Sequence, residues 1–279
     1  MKVHHLNCGT DCPFGGRFMD GRSRGPTARL VCHCLLVETP SSGLVLVDTG
    51  YGLRDVHHPH PRTSRLMRGL LNIRFREEET AIRQVEALGF SSRDVRHIVL
   101  THMDFDHAGG LEDFPHARVH LLGRELDAAR ALDGGVTSRK RYRPMQFDAV
   151  HDWRPYRSEG EPWFGFGAVR DMDGLPPEVL LIPLTGHTWG HAGVAVATDG
   201  GWLLHAGDAY FHRAEMRQTV RECPPGLRLY QNMMEVDREA RLGNQARLRA
   251  LSLDTTANTR IICAHDAAEL EACMAGRAL

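Results

Sequence analysis

The sequence predicts an α/β fold because short apolar runs typical of strands alternate with segments of helical periodicity. Its length of 279 residues is enough for one large domain or two small ones. The composition, with 42% hydrophobic and 25% charged residues, is that of an ordinary globular protein. We therefore expect a single α/β domain that covers residues 1–279.

The first half of the chain alternates predicted strands and helices. Its first two strands are separated by a turn at residues 40–43, which consist of Pro, Ser and Gly. Ile82, Val85 and Leu88 recur at the spacing of one helical face. The elements predicted in this half are strands at 30–37, 44–47, 97–101 and 118–122, and helices at 78–88, after Gly110 and at 124–132.

The second half has a similar order of elements, although no repeat of fixed period is present. The predicted elements are strands at 179–184, 194–197, 202–206 and 260–264, and a long helix at 235–251. This order again favours an α/β arrangement.

Two segments interrupt the alternation, residues 51–75 and residues 134–173. The first contains His57-His58-Pro59-His60-Pro61 and is expected to form a loop leading into a short basic helix, with its histidines as a candidate pocket wall. The second carries seven aromatic residues, which fit either a lid over a binding site or a cluster that caps the core. We expect both insertions to border the active site.

Charge and cysteine content limit the function classes. A net charge of −1 gives no general attraction to nucleic acid or to an anionic membrane. No stretch reaches the roughly 20 apolar residues of a membrane helix, and the first residues lack the apolar region of a secretory signal. Seven cysteines, an odd number, fit reduced thiols better than a disulfide framework. We expect a cytoplasmic protein that acts on a small molecule; the oligomeric state is not indicated.

Residues 102–107, His-Met-Asp-Phe-Asp-His, are the most informative stretch of the chain. They place two imidazoles and two carboxylates directly after an apolar run at 97–101. Crowded carboxylates repel each other, and desolvation costs several kcal/mol per ion. A bound divalent cation removes this difficulty. The stretch therefore predicts a metal site.

Three more residues of ligand type each follow an apolar strand: His187, Asp208 and His265. Because α/β sheets place their sites just beyond the carboxyl ends of strands, we expect these side chains to meet residues 102–107. The pairs Cys8/Cys12 and Cys32/Cys34 lack CxxC spacing, so packing is favoured there over a zinc knuckle.

These residues and their order resemble the metallo-β-lactamase superfamily of metallo-hydrolases. The resemblance is carried by Asp48-Thr49-Gly50 and by residues 102–110, 186–191, 207–209 and 264–266, and it spans nearly the whole chain. It implies a four-layer αβ/βα sandwich, with the site at the edge where two β-sheets meet. Among the branches of the superfamily, the N-acyl homoserine lactonases look most similar.

The resemblance implies that seven side chains hold two divalent metal ions: His102, Asp104 and His187 at the first, Asp106, His107 and His265 at the second, and Asp208 bridging both. His191 is expected to form a hydrogen bond beside the ligands rather than to bind metal. His205 is expected to be a buried imidazole within a strand.

Position 104 departs from the usual pattern, because most hydrolases of the superfamily have His where this chain has Asp104. A carboxylate still coordinates zinc, but two histidines with one carboxylate also suit non-haem iron. Two zinc ions are our first expectation, with iron or manganese as the alternative. A single metal on the other ligands is a further alternative if Asp104 points away.

The implied reaction is cleavage of an ester or lactone, such as an N-acyl homoserine lactone, by a metal-bridging hydroxide. Asp106 would orient the attacking hydroxide as well as bind metal. Tyr210 is a candidate catalytic proton donor, with packing as its alternative role. The resemblance does not support Tyr210 directly, since lactonases have a tyrosine three residues past the bridging Asp, where this chain has Phe211.

Three other functions stay open. A glyoxalase II-like thioester hydrolase would use the same metal pair. An iron-dependent oxidoreductase of the same fold, a sulfur dioxygenase or a diiron enzyme, would fit Asp104. An inactive metal-binding scaffold is the third alternative. The basic run at 139–143 fits either an anion-binding site or a solvated charged face.

Overall fold

Two large β-sheets form the centre of the computed structural model, which describes residues 1–131, 141–216 and 221–277. The strands, in chain order, are β1 Lys2–Asp11, β2 Leu30–Glu38, β3 Leu44–Val47, β4 Val95–Val99, β5 Arg118–Leu122, β6 Trp153–Tyr156, β7 Glu161–Trp163, β8 Phe166–Ala168, β9 Val179–Pro183, β10 Ala192–Thr198, β11 Gly201–His205 and β12 Thr259–Ile262.

Helices lie mostly between these strands. The α-helices are α1 Arg17–Asp20, α2 Leu53–His57, α3 Pro59–Arg62, α4 Arg65–Leu71, α5 Ala81–Ala87, α6 Gly123–Ala131, α7 Pro144–Phe147, α8 Pro225–Met234, α9 Arg238–Leu253 and α10 Ala267–Met274. Short 3-10 helices occur at Glu77–Glu79, Ser92–Asp94, Leu111–Asp113 and Arg213–Glu215. None of the helices in the described parts of the chain combines the length and apolar character needed to cross a bilayer.

The larger sheet contains β1 to β6 in chain order. Its first three strands are antiparallel, and β3 to β6 run parallel to one another. The smaller sheet has the order β12-β11-β10-β9, in which only β11 and β12 are parallel. Strands β7 and β8 form a separate antiparallel pair.

The two large sheets pack face to face through alternate side chains of their strands. Leu35 of β2 and Val47 of β3 share a buried cluster with Leu181 of β9 and Val194 of β10. Removing one such side chain from water contributes about 1.5–3 kcal/mol. This inner cluster holds the two halves of the chain together.

Helices cover the outer faces. On the larger sheet, Leu46 of β3 packs in a cluster with Val85 of α5. On the smaller sheet, Leu204 of β11 packs in a cluster with Leu248 of α9. The order is helix, sheet, sheet, helix, so the predicted four-layer sandwich is confirmed.

Most predicted elements are present within a few residues, with two kinds of exception. Strand β1 was not predicted because its polar residues mask the alternation, although its second half is buried. The predicted helix after Gly110 is only the 3-10 turn at Leu111–Asp113. Helices α8 and α10 were also missed; the N-cap of α10 is Asp266, whose carboxylate accepts hydrogen bonds from the backbone of Ala268 and Glu269.

The first insertion forms the short helices α2 to α4 rather than one loop and one helix. His57, His58 and His60 are exposed, and His57 forms an ion pair with Glu77, with 3.0 Å between Nε2 and Oε2. This arrangement does not favour the proposed pocket wall.

The second insertion lies partly outside the described residues, since 132–140 are not described. Of its aromatic residues, Trp163 and Phe166 pack in the core cluster of the smaller sheet together with Trp202. Phe147 is buried in the core cluster of the larger sheet. These contacts favour the core-capping interpretation over an aromatic lid.

Candidate metal centre

Loops at one end of both sheets bring the seven predicted ligands together. Residues 100–110, after β4, supply four of them. The loops after β9, β11 and β12 supply one each, and all seven ligands are listed here in chain order: His102, Asp104, Asp106, His107, His187, Asp208 and His265. Convergence beyond the strand ends is what the sequence predicted.

The first group of ligand-type atoms comes from His102, Asp104 and His187, whose donor atoms lie within 4.8 Å of one another. Asp104 Oδ2 is 3.1 Å from His187 Nε2 and 3.5 Å from His102 Nε2. Asp104 therefore points into the cluster, contrary to the alternative in which it points away.

The second group comes from Asp106, His107 and His265, again with donor atoms within 4.8 Å. Asp106 Oδ2 is 3.9 Å from His107 Nε2 and 3.7 Å from His265 Nε2. At 13% exposure, the Asp106 side chain is more open to solvent than those of the two histidines.

Asp208 lies between the two groups, and its carboxylate faces both of them. Its Oδ2 is 3.3 Å from His187 Nε2 and 3.8 Å from His102 Nε2. Its Oδ1 is 3.3 Å from His107 Nε2 and 3.1 Å from His265 Nε2, which also lies 3.2 Å from Oδ2. This is the geometry expected of a bridging carboxylate.

The donor set fits divalent cations. Among the described residues, the buried atoms His102 Nε2, His107 Nε2 and Asp208 Oδ1 have no hydrogen-bond partner. Leaving buried polar atoms unsatisfied costs free energy, and a cation coordinated by them would remove that cost. Imidazole nitrogens and carboxylate oxygens are donors that zinc accepts.

A buried carboxylate, Asp48, orients two of the histidines from behind. His107 Nδ1 donates to Asp48 Oδ2 over 2.8 Å. His102 Nδ1 donates to Thr101 Oγ1 over 3.0 Å, and that hydroxyl donates to Asp48 over 2.7 Å. Such contacts fix the tautomer so that Nε2 faces a metal. The sequence offered a signal for this role, because Asp48 directly follows the apolar strand β3.

His191 positions Asp208 from the opposite side, as predicted. Its Nδ1 donates to the carbonyl of Leu184 over 2.9 Å, and its Nε2 accepts from the Asp208 backbone N–H over 2.9 Å. Gly207 has φ +53°, and a Cβ there would lie 2.7 Å from His191 Nε2. His205, also as predicted, is a buried imidazole.

The charges around Asp208 shift the pKa values of its neighbours. Burial alone would lower the pKa of His265, but the carboxylates of Asp208 and Asp106 together outweigh it and raise that pKa to about 9. The same balance raises the pKa of His107 well above its usual value. Burial lowers the pKa of His187 to about 4. Protons and cations therefore compete for His107 and His265.

Relatives of the chain identify its family. A family model described as the metallo-beta-lactamase superfamily matches residues 27–242. A protein of Mycobacterium tuberculosis named as a probable metallo-hydrolase is 42% identical over 266 residues, which are 95% of this chain and 80% of that relative. The chain belongs to the metallo-β-lactamase superfamily. The predicted enzyme class, a hydrolase of this superfamily, is confirmed.

Lactonases of the superfamily are also similar. An N-acyl homoserine lactonase of Bacillus cereus is 29% identical over 198 residues, 70% of each chain. The solved structure of an N-acyl homoserine lactone hydrolase with N-hexanoyl-L-homoserine at its catalytic metal center matches with a TM-score of 0.71 at 20% identity, covering 98% of this chain and 96% of that one. A dizinc quorum-quenching lactonase matches with a TM-score of 0.57 at 16% identity, covering 94% and 86%. These similarities confirm the metallo-β-lactamase fold.

Tyr210 packs in the core and bonds a residue that is not a candidate ligand. Its hydroxyl donates to the Glu269 carboxylate over 3.1 Å, and its ring is fully buried in the core cluster of the smaller sheet. These contacts favour the packing role, and a catalytic role for Tyr210 stays an untested prediction. The neighbouring Phe211 contacts the site instead, because its ring stacks on His265 with 5.1 Å between centroids.

Glu125 of α6 is a residue near the site that the sequence analysis missed. One carboxylate oxygen accepts from the Met103 backbone and the Tyr142 hydroxyl, and the other accepts from Thr188 and the Gly190 backbone. Glu125 thus joins the loops that carry the first group. Its position one helical turn before the buried Ala129, on the covered face of α6, was the available signal.

Arg141 is the one residue of the predicted basic run 139–143 that contacts the candidate ligands among those described. Its side chain is 2% exposed, and its Nε lies 3.0 Å from Asp104 Oδ1. Burial alone would raise the pKa of Asp104, but Arg141 and His102 outweigh it and hold that pKa well below its usual value. The anion that this part of the basic run contacts is therefore a carboxylate of the protein, Asp104. Arg139 and Lys140 lie outside the described residues.

Proposed function

We propose that this member of the metallo-β-lactamase superfamily is a metal-dependent hydrolase that cleaves an ester or lactone bond of a small molecule with two divalent cations. The observation that carries the proposal is the central position of Asp208, whose Oδ2 faces His102 and His187 and whose Oδ1 faces His107, while His265 Nε2 lies close to both oxygens. When bound, the cations would supply a water ionised near neutral pH and would polarise the substrate carbonyl.

Seven side chains would hold the cations. His102, Asp104 and His187 would bind the first, Asp106, His107 and His265 would bind the second, and Asp208 would bind both. Asp48 would keep the Nε2 atoms of His102 and His107 directed at the cations. His191 would keep Asp208 in its bridging orientation. Two zinc ions are the first choice for this donor set.

Asp106 is the proposed catalytic carboxylate. Its side chain is 13% exposed, whereas the other six ligand side chains are 7% exposed or less. Water and substrate would therefore reach the site on the side of Asp106. There the carboxylate would orient the attacking water and accept its proton, which is the ordinary contribution of a positioned general base.

Two aromatic residues would form a wall of the substrate site. Phe211 stacks on His265, and its ring also lies 5.8 Å from that of Tyr230. Burial, followed by the charges of Asp106 and Asp104, raises the pKa of Tyr230 well above its usual value, so its hydroxyl stays protonated at neutral pH. Tyr230 is half-buried and contacts Phe211, whereas Tyr210 is fully buried, so Tyr230 is our preferred hydrogen-bond donor for substrate.

The choice of an ester or lactone is supported by similarity to proteins named N-acyl homoserine lactonases. The proposed chemistry needs an electrophilic carbonyl and no serine or cysteine nucleophile. A thioester would meet the same requirement and is the alternative substrate class.

The test is elemental analysis of protein purified without added metal, followed by assays on the same sample. We expect about two equivalents of metal per chain. Activity toward lactones or esters should disappear on chelation and return with zinc. Less than one equivalent after reconstitution would refute the dinuclear site. Turnover of thioesters alone would indicate a glyoxalase II-like enzyme, and no turnover at full occupancy would indicate a scaffold.

One observation favours a second function. His102, His187 and Asp104 form the two-histidine, one-carboxylate set that suits non-haem iron. An iron-dependent oxidoreductase of the same fold would contain iron after purification and would consume oxygen with a persulfide substrate. Zinc content with hydrolysis and no oxygen uptake would rule it out.

A further inference from the structure

The aspartate at position 104 has a buried cationic partner supplied by a distant segment. Arg141 Nε lies 3.0 Å from Asp104 Oδ1, while Asp104 Oδ2 faces His102 and His187. The two oxygens of this carboxylate therefore have separate surroundings. One contacts a guanidinium and the other faces the first group of candidate ligands.

The guanidinium is held by two hydrogen bonds to backbone carbonyls. Its Nη1 donates to the carbonyl of His187 over 2.8 Å, and its Nη2 donates to the carbonyl of Met234 over 3.0 Å. Nη2 also lies 3.4 Å from His187 Nε2. Since Arg keeps its charge in proteins, a fixed positive charge lies directly beside the proposed position of the first cation.

The net charge of this ligand set equals that of a set with His at position 104 only when Arg141 is included. Asp104, Asp106 and Asp208 with Arg141 sum to −2. A neutral His at position 104 without the arginine would leave two carboxylates and the same −2. Asp104 and Arg141 together therefore replace the usual histidine without changing the net charge of the site.

We propose that Arg141 is a positioning residue that neutralises the additional carboxylate of Asp104 and directs a single oxygen, Oδ2, toward the first metal ion. This inference rests on the proposed metal site. It explains how the chain tolerates Asp where most hydrolases of the superfamily have His. It also gives the insertion at 134–173 a role at the site through the guanidinium of Arg141 rather than through its aromatic rings.

A double-mutant cycle between Asp104→His and Arg141→Gln tests the pairing. Gln is neutral and keeps an N–H donor for the backbone carbonyls. In Asp104→His, the buried guanidinium loses its carboxylate and repels the cation. We expect a lower melting temperature of the chelated protein and binding of the first zinc weakened by at least about tenfold. The double variant should recover more than about half of each loss.

Arg62→Gln is the matched control. Arg62 is also 2% exposed, and its Nε lies 2.6 Å from the buried Asp55. The Arg62→Gln variant should have a lower melting temperature. Combined with Asp104→His, the two losses in melting temperature should add, because the two sites are independent. Arg141→Lys in the Asp104→His background keeps the charge and should therefore give no recovery.

The readouts separate this inference from the proposed function. In cobalt-substituted protein, Arg141→Gln should change the visible absorption of the metal, because Asp104 becomes free to offer both oxygens. Additive losses in the cycle, with two zinc ions still bound by the unmodified protein, would overturn the role of Arg141 alone. Unmodified protein that binds no cation would overturn both proposals. If Arg141→Gln alone does not fold, a double variant that does fold would be the expected recovery. If neither variant folds, the proposed pairing is overturned.

Discussion

The two groups of candidate ligands share Asp208 but have opposite charges behind them. Behind the first group lies the guanidinium of Arg141, 3.0 Å from Asp104. Behind the second lies the carboxylate of Asp48, 2.8 Å from His107 Nδ1. The hydrogen-bonded path from Asp48 to the first group runs through the hydroxyl of Thr101.

This difference predicts two unequal cation positions at one edge of the fold. A carboxylate behind a histidine makes the imidazole a stronger metal ligand, whereas a nearby guanidinium repels a cation. The second position should therefore fill first and release its metal last. Two sites that share a ligand need not share an affinity.

Asp208→Asn should have the largest effect because it removes the charge common to both groups. We expect loss of both metals and a fall in kcat/KM of at least about a thousandfold, since metal stabilisation of the transition state is worth several kcal/mol. Elemental analysis after gel filtration, with kinetics on the same sample, checks this. Asp55→Asn, which alters a buried carboxylate outside the centre, should retain both metals; its losing them would mean that metal content reports only folding.

Chelation should destabilise the protein, by about 4 kcal/mol if the metal is present at a thousandfold excess over its Kd. That corresponds to a fall in Tm of roughly 10 °C. The pKa of His265 is raised to about 9 without metal, so its protonation stabilises the chelated protein below about pH 6.5 and is lost as the pH rises through 9. Calorimetry should show a widening gap between loaded and chelated protein from pH 6.5 to 9. A constant gap would contradict this.

Asp48→Asn sharpens the comparison by weakening the second position. We expect about 10- to 100-fold lower zinc affinity there, because His107 loses the carboxylate that orients it. The first position should change less, since a hydroxyl intervenes between Asp48 and His102. Competition titration with a zinc indicator measures both steps, and equal weakening of the two would argue against the asymmetry.

Glu125→Gln should act on the first position instead. The carboxylate accepts four hydrogen bonds from the loops around that group, and an amide accepts fewer and weaker ones. We expect a loss of about 1–3 kcal/mol in the free energy of unfolding and weaker binding of the first zinc. Urea unfolding of the chelated protein and zinc titration test the two parts. Weaker zinc binding at the second position, with the first position unchanged, would contradict this prediction.

Tyr210→Phe should have the smallest effect. Its hydroxyl bonds Glu269 rather than a candidate ligand, so we expect a stability loss of about 1 kcal/mol. Turnover should stay within about twofold of the unmodified enzyme. A large fall in kcat at unchanged metal content would restore the catalytic role.

The sequence predicted what depends on pattern and order. Ligand-type residues beyond apolar strands located the centre, since strand ends of an α/β sheet meet at one edge. Asp104 was recognised as a departure, but its partner was not, because Arg141 lies in a stretch with no periodicity and is aimed by tertiary contacts alone. Local pattern carries no information on a pair separated by 37 positions in the chain.

Tyr210 shows the opposite limit. Proximity to Asp208 in sequence suggested proximity to the reaction, yet successive residues after a strand point in different directions. Phe211 turned toward His265 and Tyr210 toward Glu269. The direction of the backbone decides which side chains line the site, and distance from Asp208 in the sequence does not predict that direction.

The origin of the ligands in separate loops has a consequence for synthesis. Four of them emerge together near residue 105, but His265 is translated about 160 residues later. The second position would therefore be incomplete until both sheets have been synthesised and have packed together, so a metal ion would bind there late in folding. A metal ion that stays bound during dialysis would therefore indicate that the two sheets have packed against each other.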